Sequence, residues 1–262
     1  MMKPLAATLL TLAAALALSA CGNGSLDDDD VSTSAEAIEG TSDTNALMAV
    51  SAEAAATTMA PEGAAVASAQ SARAQFSPAG CVVATQQGAT VNYTFNNCTG
   101  PYGLVNLSGT ASATFSNRTP TGWTVTLTGS LMANQAQLRP NATAQISYAN
   151  GTRTANVTLM GSGTSRRGVA YQNTGSYTST WDGSCFGLNG SLTANANGAS
   201  VSIAVNNYRR CRGQCPEAGG SIALSNSNGD ALSIAYSGSA TAQVTGGRGV
   251  TRSVRLYCGG AS

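Results

Sequence analysis

The chain has 262 residues and a formal net charge of +1, and it contains no histidine. Without histidine it cannot form a Ser-His-Asp or Cys-His catalytic group, or a zinc site with an imidazole ligand. Its only lysine is Lys3, so Schiff-base chemistry would depend on that one residue.

The first residues have the pattern of an export signal. Lys3 precedes an apolar run from Leu5 to Leu18, which is too short to span a bilayer core that usually takes ~20 residues. The run ends in Leu18-Ser19-Ala20-Cys21, which resembles the lipobox of bacterial lipoproteins. The resemblance covers residues 1–21 only. It implies that residues 1–20, which include Lys3, are removed. Cys21 is then lipidated and becomes the first residue of the mature protein.

The resemblance also implies a location. Gly22 follows the cysteine where Asp is associated with inner-membrane retention, so we expect the outer membrane, with the protein facing the periplasm or the cell surface. No other stretch is long and apolar enough to cross a membrane, and the lipid on Cys21 is therefore the expected membrane contact. Several acyl chains at ~0.8 kcal/mol per buried CH₂ would make release very unfavourable.

Charge divides the chain into two parts of opposite sign. Residues 21–75 carry nine acidic residues and one arginine, whereas residues 76–262 carry three acidic residues and eleven arginines. Two hypotheses follow: the acidic tail folds back on the basic body, or the body meets an anionic partner such as lipopolysaccharide phosphates or an acidic polysaccharide. We do not expect nucleic acid to be that partner.

The tail has two predicted segments. Residues 21–45 are rich in Ser, Asp, Thr and Gly and predict a flexible acidic tether, because they offer little apolar surface to bury. Residues 46–75 are rich in Ala and predict two short helices, Ala46 to Met59 and Glu62 to Ala74, with Pro61 suited to a first helical turn. Helices of this length persist only if they dock on the rest of the protein.

The body, residues 76–262, alternates apolar and polar residues. Leu107, Ala111, Ala113 and Phe115 alternate with Ser and Thr, and similar runs recur to the end of the chain, as expected for strands with one buried face. The expected turns include Asn150-Gly151, Asn189-Gly190 and Asn228-Gly229. The pattern predicts an all-β, antiparallel β-sandwich or partly closed barrel of about twelve strands, with room for one or two N-terminal helices to cover it.

Six cysteines remain besides Cys21, and an even number in an exported chain predicts three disulfides. The six are Cys81, Cys98, Cys185, Cys211, Cys215 and Cys258. A pattern shared by the regions after Cys81 and Cys185 favours Cys81–Cys98 and the pairing of Cys185 with Cys211 or Cys215, which leaves the other for Cys258. The alternative pairs Cys211 with Cys215 and Cys185 with Cys258.

Arginines form the densest candidate binding feature. Guanidinium groups suit phosphate and carboxylate, and the sequence predicts an anion-binding surface at Arg209, Arg210, Arg212, Arg166 and Arg167. We expect no metal and no cofactor.

The function predicted from the sequence is that of a lipid-anchored cell-envelope protein serving as a structural or binding module without catalysis. A first alternative is a surface module that binds anionic glycan or lipopolysaccharide through its arginines. A second is a glycan-cleaving enzyme that uses two carboxylates, for which only Asp182, Glu217 and Asp230 are available in the body.

Overall fold

The computed structural model describes residues 44, 47, 48, 51, 60–100, 106–133, 135–165, 168–182, 185–196, 198–211, 214–246 and 249–255. Its complete elements are one helix and fourteen strands. They are α1 (Pro61–Gln75), β1 (Val82–Gln87), β2 (Thr90–Cys98), β3 (Leu107–Thr119), β4 (Gly122–Ala133), β5 (Ala136–Arg139), β6 (Asn141–Ala149), β7 (Thr152–Thr164), β8 (Ala170–Trp181), β9 (Cys185–Ala196), β10 (Ala199–Cys211), β11 (Ser221–Asn226), β12 (Ala231–Tyr236), β13 (Thr241–Gly246) and β14 (Thr251–Arg255).

The strands form one antiparallel sheet in which neighbours in sequence are neighbours in space. The exception is the pair β5 and β6, which together occupy a single position between β4 and β7. Their pairing with β4 runs on in one register, from Leu131 opposite Leu138 to Leu127 opposite Ala142. Pro140 separates them because it has no N–H to give to the ladder.

One face of the sheet, called the inner face, carries the hydrophobic core. Phe115, Val125 and Leu159 on three of its central strands are each at most 1% exposed, and they belong to one continuous cluster of buried residues. The other face, the outer face, carries mainly Ser, Thr and Asn. The predicted antiparallel all-β fold is confirmed, and its fourteen strands form one continuous sheet.

Two expected turns have different outcomes. Asn150 and Gly151 form the turn between β6 and β7, with φ values of 52° and 79°. The expected turn at Asn189-Gly190 is wrong, because both residues lie inside β9. Gly190 is on the inner face, and a Cβ there would lie 2.5 Å from the Cα of Tyr177. This glycine therefore serves close strand packing instead of a turn.

The second predicted helix is confirmed as α1, which packs on β1, β2 and β3. It buries a row of alanines that let it approach the sheet closely. Ser68 in this row donates a hydrogen bond to the carbonyl of Ser51 at 2.9 Å, and its hydroxyl lies 2.7 Å from that of Tyr93 on β2.

Little of the first predicted helix lies within the described residues. Thr44, Leu47, Met48 and Ser51 are helical and buried, and their spacing places them on one helical face. In the part of the chain that the structure describes, no helix is long and apolar enough to cross a membrane. The predicted signal segment, Cys21 and most of the acidic tether lie outside the described residues.

Candidate functional site

At one end of the sheet, five neighbouring strands each contribute one side chain to a cross-strand row. The register pairs Tyr148 with Arg153, Arg153 with Trp181, Trp181 with Phe186 and Phe186 with Arg210. We call these five residues the end row. It crosses β6 to β10 on the inner face, next to the β6–β7 turn and the β8–β9 connection. The row places three aromatic rings and two guanidinium groups side by side.

The rings and charges of the end row contact one another. The guanidinium carbon of Arg153 lies 5.9 Å from the centre of the Tyr148 ring, a distance typical of a cation–π contact. The Trp181 and Phe186 rings are 6.0 Å apart at an angle of 51°. Tyr148 is 48% exposed whereas Trp181 is only 8% exposed. The row therefore has an exposed ring at one side and an apolar centre.

Arg210 on β10 is the last residue at the other side of the row. Its Nε donates a hydrogen bond to the carbonyl of Gln214 at 3.1 Å. Burial raises the pKa of both Tyr208 and Tyr236, and the nearby positive charge of Arg210 opposes this rise. These two tyrosines pack edge to face, with ring centres 5.4 Å apart, and Tyr208 lies on the same face of β10 as Arg210.

Arg209 lies on the outer face, because successive strand residues point to opposite faces. Its Nη2 donates to Asp182 Oδ2 at 2.7 Å, and its Nε donates to Glu217 Oε1 at 3.3 Å. The other Asp182 oxygen, Oδ1, accepts the backbone N–H of Cys185 at 2.8 Å. We call Arg209, Asp182 and Glu217 the arginine clasp. It connects β10 to the β8–β9 connection and to the loop after β10. The positive charge of Arg209 is thereby paired with two carboxylates of the same chain.

A disulfide joins Cys185 to Cys211 beside the clasp, and another joins Cys81 to Cys98. Both pairs are among those favoured by the sequence, and the alternative Cys211–Cys215 pair is not formed. Cys215 is also disulfide-bonded, whereas Cys258 lies outside the described residues. Potential ligand atoms of Cys185, Cys211 and Glu217 lie within 4.8 Å of one another. Because the two sulfurs are bonded to each other, they are not thiolates, and this group does not fit a metal.

The remaining arginines and the third carboxylate predicted from the sequence are not found in the end row or the arginine clasp within the described part of the chain. Arg166, Arg167 and Arg212 lie outside the described residues, so their part in an anion-binding surface stays a prediction. Asp230 lies in the β11–β12 turn, where its backbone N–H donates to Asn226 Oδ1 at 3.0 Å. Of the three body carboxylates, only Asp182 and Glu217 come together, and Arg209 contacts both.

A shallow groove of about 420 Å³ crosses β9 to β13. Ser, Thr, Ala and Leu residues line most of it, and none of its lining residues is charged. It therefore offers hydrogen-bonding hydroxyls but no group that could act as an acid, a base or a counter-ion.

Arg210 is the member of the end row that belongs to the anion-binding residues predicted above, whereas Tyr148, Arg153 and Phe186 are not predicted as site residues. They are up to 38 positions apart, and only strand register brings them together. A signal existed in the predicted turns: the tight turn at Asn150-Gly151 makes Tyr148 and Arg153 cross-strand partners.

No family model matches the chain, and no curated protein or solved structure is significantly similar to it.

Proposed function

We propose that this chain is a lipid-anchored protein of the bacterial outer membrane, and that its β body is a binding module for an anionic glycan or lipopolysaccharide. The observation that carries the binding proposal is the end row. Sites for small polar ligands combine an apolar floor with a few well-placed polar groups. Guanidinium groups beside aromatic rings suit a ligand that has both anionic groups and ring faces.

The arginine clasp favours binding over catalysis. A paired-carboxylate glycosidase needs one carboxyl group as a proton donor and another that faces the substrate. Asp182 and Glu217 instead share one guanidinium partner on the outer face, whereas the end row lies on the inner face. The proposal therefore assigns a structural role to these carboxylates.

The lipid anchor is tested by fractionating bacteria that express the full chain or its Cys21→Ala variant. The proposal expects the full chain in the membrane fraction and the variant in the soluble fraction. Equal distribution of both proteins would contradict the anchor.

Binding is tested with the Cys21→Ala chain on immobilised lipopolysaccharide, heparin and neutral dextran. The proposal expects binding to at least one anionic surface and none to dextran, with affinity falling as salt screens the arginines. A lack of binding to either anionic surface would overturn the glycan proposal, and release of shortened glycan would favour the enzyme.

A further inference from the structure

We propose that the end row is a two-charge site, in which Arg153 and Arg210 each hold one anionic group of an oligosaccharide whose uncharged part lies over the partly buried Phe186 ring between them. This inference rests on the proposed function and adds a ligand geometry to it. It also assigns a role to Arg153, which lies outside the arginine clusters seen in the sequence.

The separation of the two charges follows from the register. Arg153 is the second residue of the row and Arg210 is the fifth, so they lie on strands three positions apart. With neighbouring strands ~4.8 Å apart, their backbones are separated by ~14 Å along the sheet. Arg153 is turned towards the Tyr148 ring on β6, and Arg210 is turned towards the carbonyl of Gln214 after β10. The two guanidinium groups therefore lie on the outer sides of the intervening rings, and the row fits a ligand with two separate anionic groups.

The space between the charges is apolar. Trp181 and Phe186 occupy the two intervening strands. Trp181 is 8% exposed and belongs to the core, whereas Phe186 is only partly buried and offers the accessible ring surface. Carbohydrate rings present C–H faces that pack on aromatic side chains, whereas a chain of closely spaced charges would lose its hydration there without gaining a partner. The centre of the row thus favours uncharged sugar faces and disfavours a continuous polyanion.

Contacts within the protein hold both arginines near the row. Arg153 lies over the Tyr148 ring, and Arg210 donates to the carbonyl of Gln214. Restricting a long side chain before binding reduces the entropy that the complex must lose.

The test measures binding of a defined probe, the deacylated glucosamine disaccharide of lipopolysaccharide with two, one or no phosphates. We expect the two-phosphate form to bind at least tenfold more tightly than the one-phosphate form. Arg153→Gln and Arg210→Gln should each weaken the two-phosphate form about tenfold, which is ~1.4 kcal/mol and close to the lower value for a charge-assisted hydrogen bond. Arg252→Gln on β14 is the matched control and should leave binding unchanged.

A second probe identifies the source of the ligand, and additional variants and thermal unfolding show whether a loss of binding comes from misfolding. A tetrasaccharide with one carboxylate on each terminal sugar and two neutral sugars between them, if it binds with the same dependence on both arginines, would identify an acidic polysaccharide as the source. A requirement for the phosphorylated disaccharide would identify lipopolysaccharide. Arg153→Lys and Arg210→Lys keep the charge and should retain more affinity than the Gln variants. Thermal unfolding of every variant checks that it is folded.

Several results would overturn the inference. Equal affinity for the one- and two-phosphate forms would contradict a two-charge site, and so would folded Arg153→Gln and Arg210→Gln variants that bind like the unmodified chain. If, after such a result, polymeric lipopolysaccharide or heparin still bound with an affinity that falls as salt is added, the proposed function would stand and only this site would be rejected. If the unmodified chain bound none of the anionic probes, both the proposed function and the two-charge site would be rejected.

Discussion

Arg209 and Arg210 are adjacent in the sequence, yet they make contacts on opposite faces of the sheet. Arg209 is engaged with two carboxylates on the outer face, whereas Arg210 lies beside Tyr208 and closes the end row. Sequence reasoning groups them with Arg212 as one cationic cluster because they are consecutive. Strand alternation separates them, and the structure thereby gives one arginine a structural partner and the other a place in the candidate site.

Replacing Arg209 by Gln should lower the free energy of unfolding by at most ~1 kcal/mol, because the clasp side chains are 32 to 47% exposed and solvent screens their attraction. Urea unfolding measures this change without adding salt. Arg252→Gln is the control and should have a smaller effect. Glycan binding should persist in Arg209→Gln, since the clasp lies on the other face. Loss of binding in a folded variant would contradict the separation of the two arginines.

Buried tyrosines give the protein a predicted sensitivity to alkali. Burial raises the pKa of Tyr93, Tyr208 and Tyr236 above the usual value of 10.0. The unfolded chain then releases these protons at a lower pH than the folded chain does. The stabilisation is fully present below about pH 10 and is lost as the pH rises from there through the folded pKa values.

The free energy of unfolding, measured by urea at a series of pH values, should therefore fall above about pH 10. Tyr236→Phe removes one ionising group, so its curve should fall less steeply than that of the unmodified chain. Curves of equal slope in the two proteins would show that Tyr236 does not contribute.

At the scale of the elements, glycines on the inner face explain how the strands pack. Gly175 on β8 is the clearest case, because a Cβ there would lie 2.3 Å from the carbonyl oxygen of Ser191 and 2.7 Å from the Cα of Leu192. These are backbone atoms of β9, which cannot move aside as a flexible side chain could. Gly190 on β9 similarly approaches Tyr177. Such close approaches mark places where a strand bends against its neighbour.

Gly175→Ala should lower the free energy of unfolding by ~1 to 3 kcal/mol, the usual cost of overpacking a core. Gly246→Ala is a matched control in the same cross-strand row of the inner face, because nothing lies within 4 Å of its added Cβ. Urea unfolding of both variants gives the comparison. Similar midpoints for the two would contradict the close-packing argument.

Several elements could be predicted from the sequence because their signals are local. Alternation places Leu107, Ala111 and Phe115 on the buried face of β3, and all three are at most 4% exposed. Ala-rich composition and Pro61 predict α1. The turn expected at Asn189-Gly190 fails because Asn-Gly is a turn signal only where two strands must reverse. There, contact with Tyr177 needs a glycine inside a strand.

At the scale of the whole molecule, the site could not be predicted because it depends on contacts that are distant in sequence. The end row joins residues from Tyr148 to Arg210 through four successive pairings. A shift of one residue in any of them would move one partner to the other face. The strand pattern predicts that there is an inner face, but it does not say which residues line up across it.

The molecule combines its two expected parts in one arrangement. Ser68 links the helical residue Ser51 to Tyr93 of the sheet, so part of the Ala-rich segment belongs to the same core as the strands. The proposed lipid anchor would hold this body at a membrane through the acidic tether. In this account the end row then meets glycan close to the surface that carries the anchor.

The most direct test of this account maps ligand contact on the unmodified arginines. Arginine-specific dicarbonyl labelling of the Cys21→Ala chain, with and without lipopolysaccharide, gives the extent of modification of each arginine by peptide mass spectrometry. The account predicts that ligand protects Arg153 and Arg210, whereas the exposed Arg139 and Arg252 stay equally reactive. Protection of other arginines, with Arg153 and Arg210 labelled as strongly as in the free protein, would contradict it.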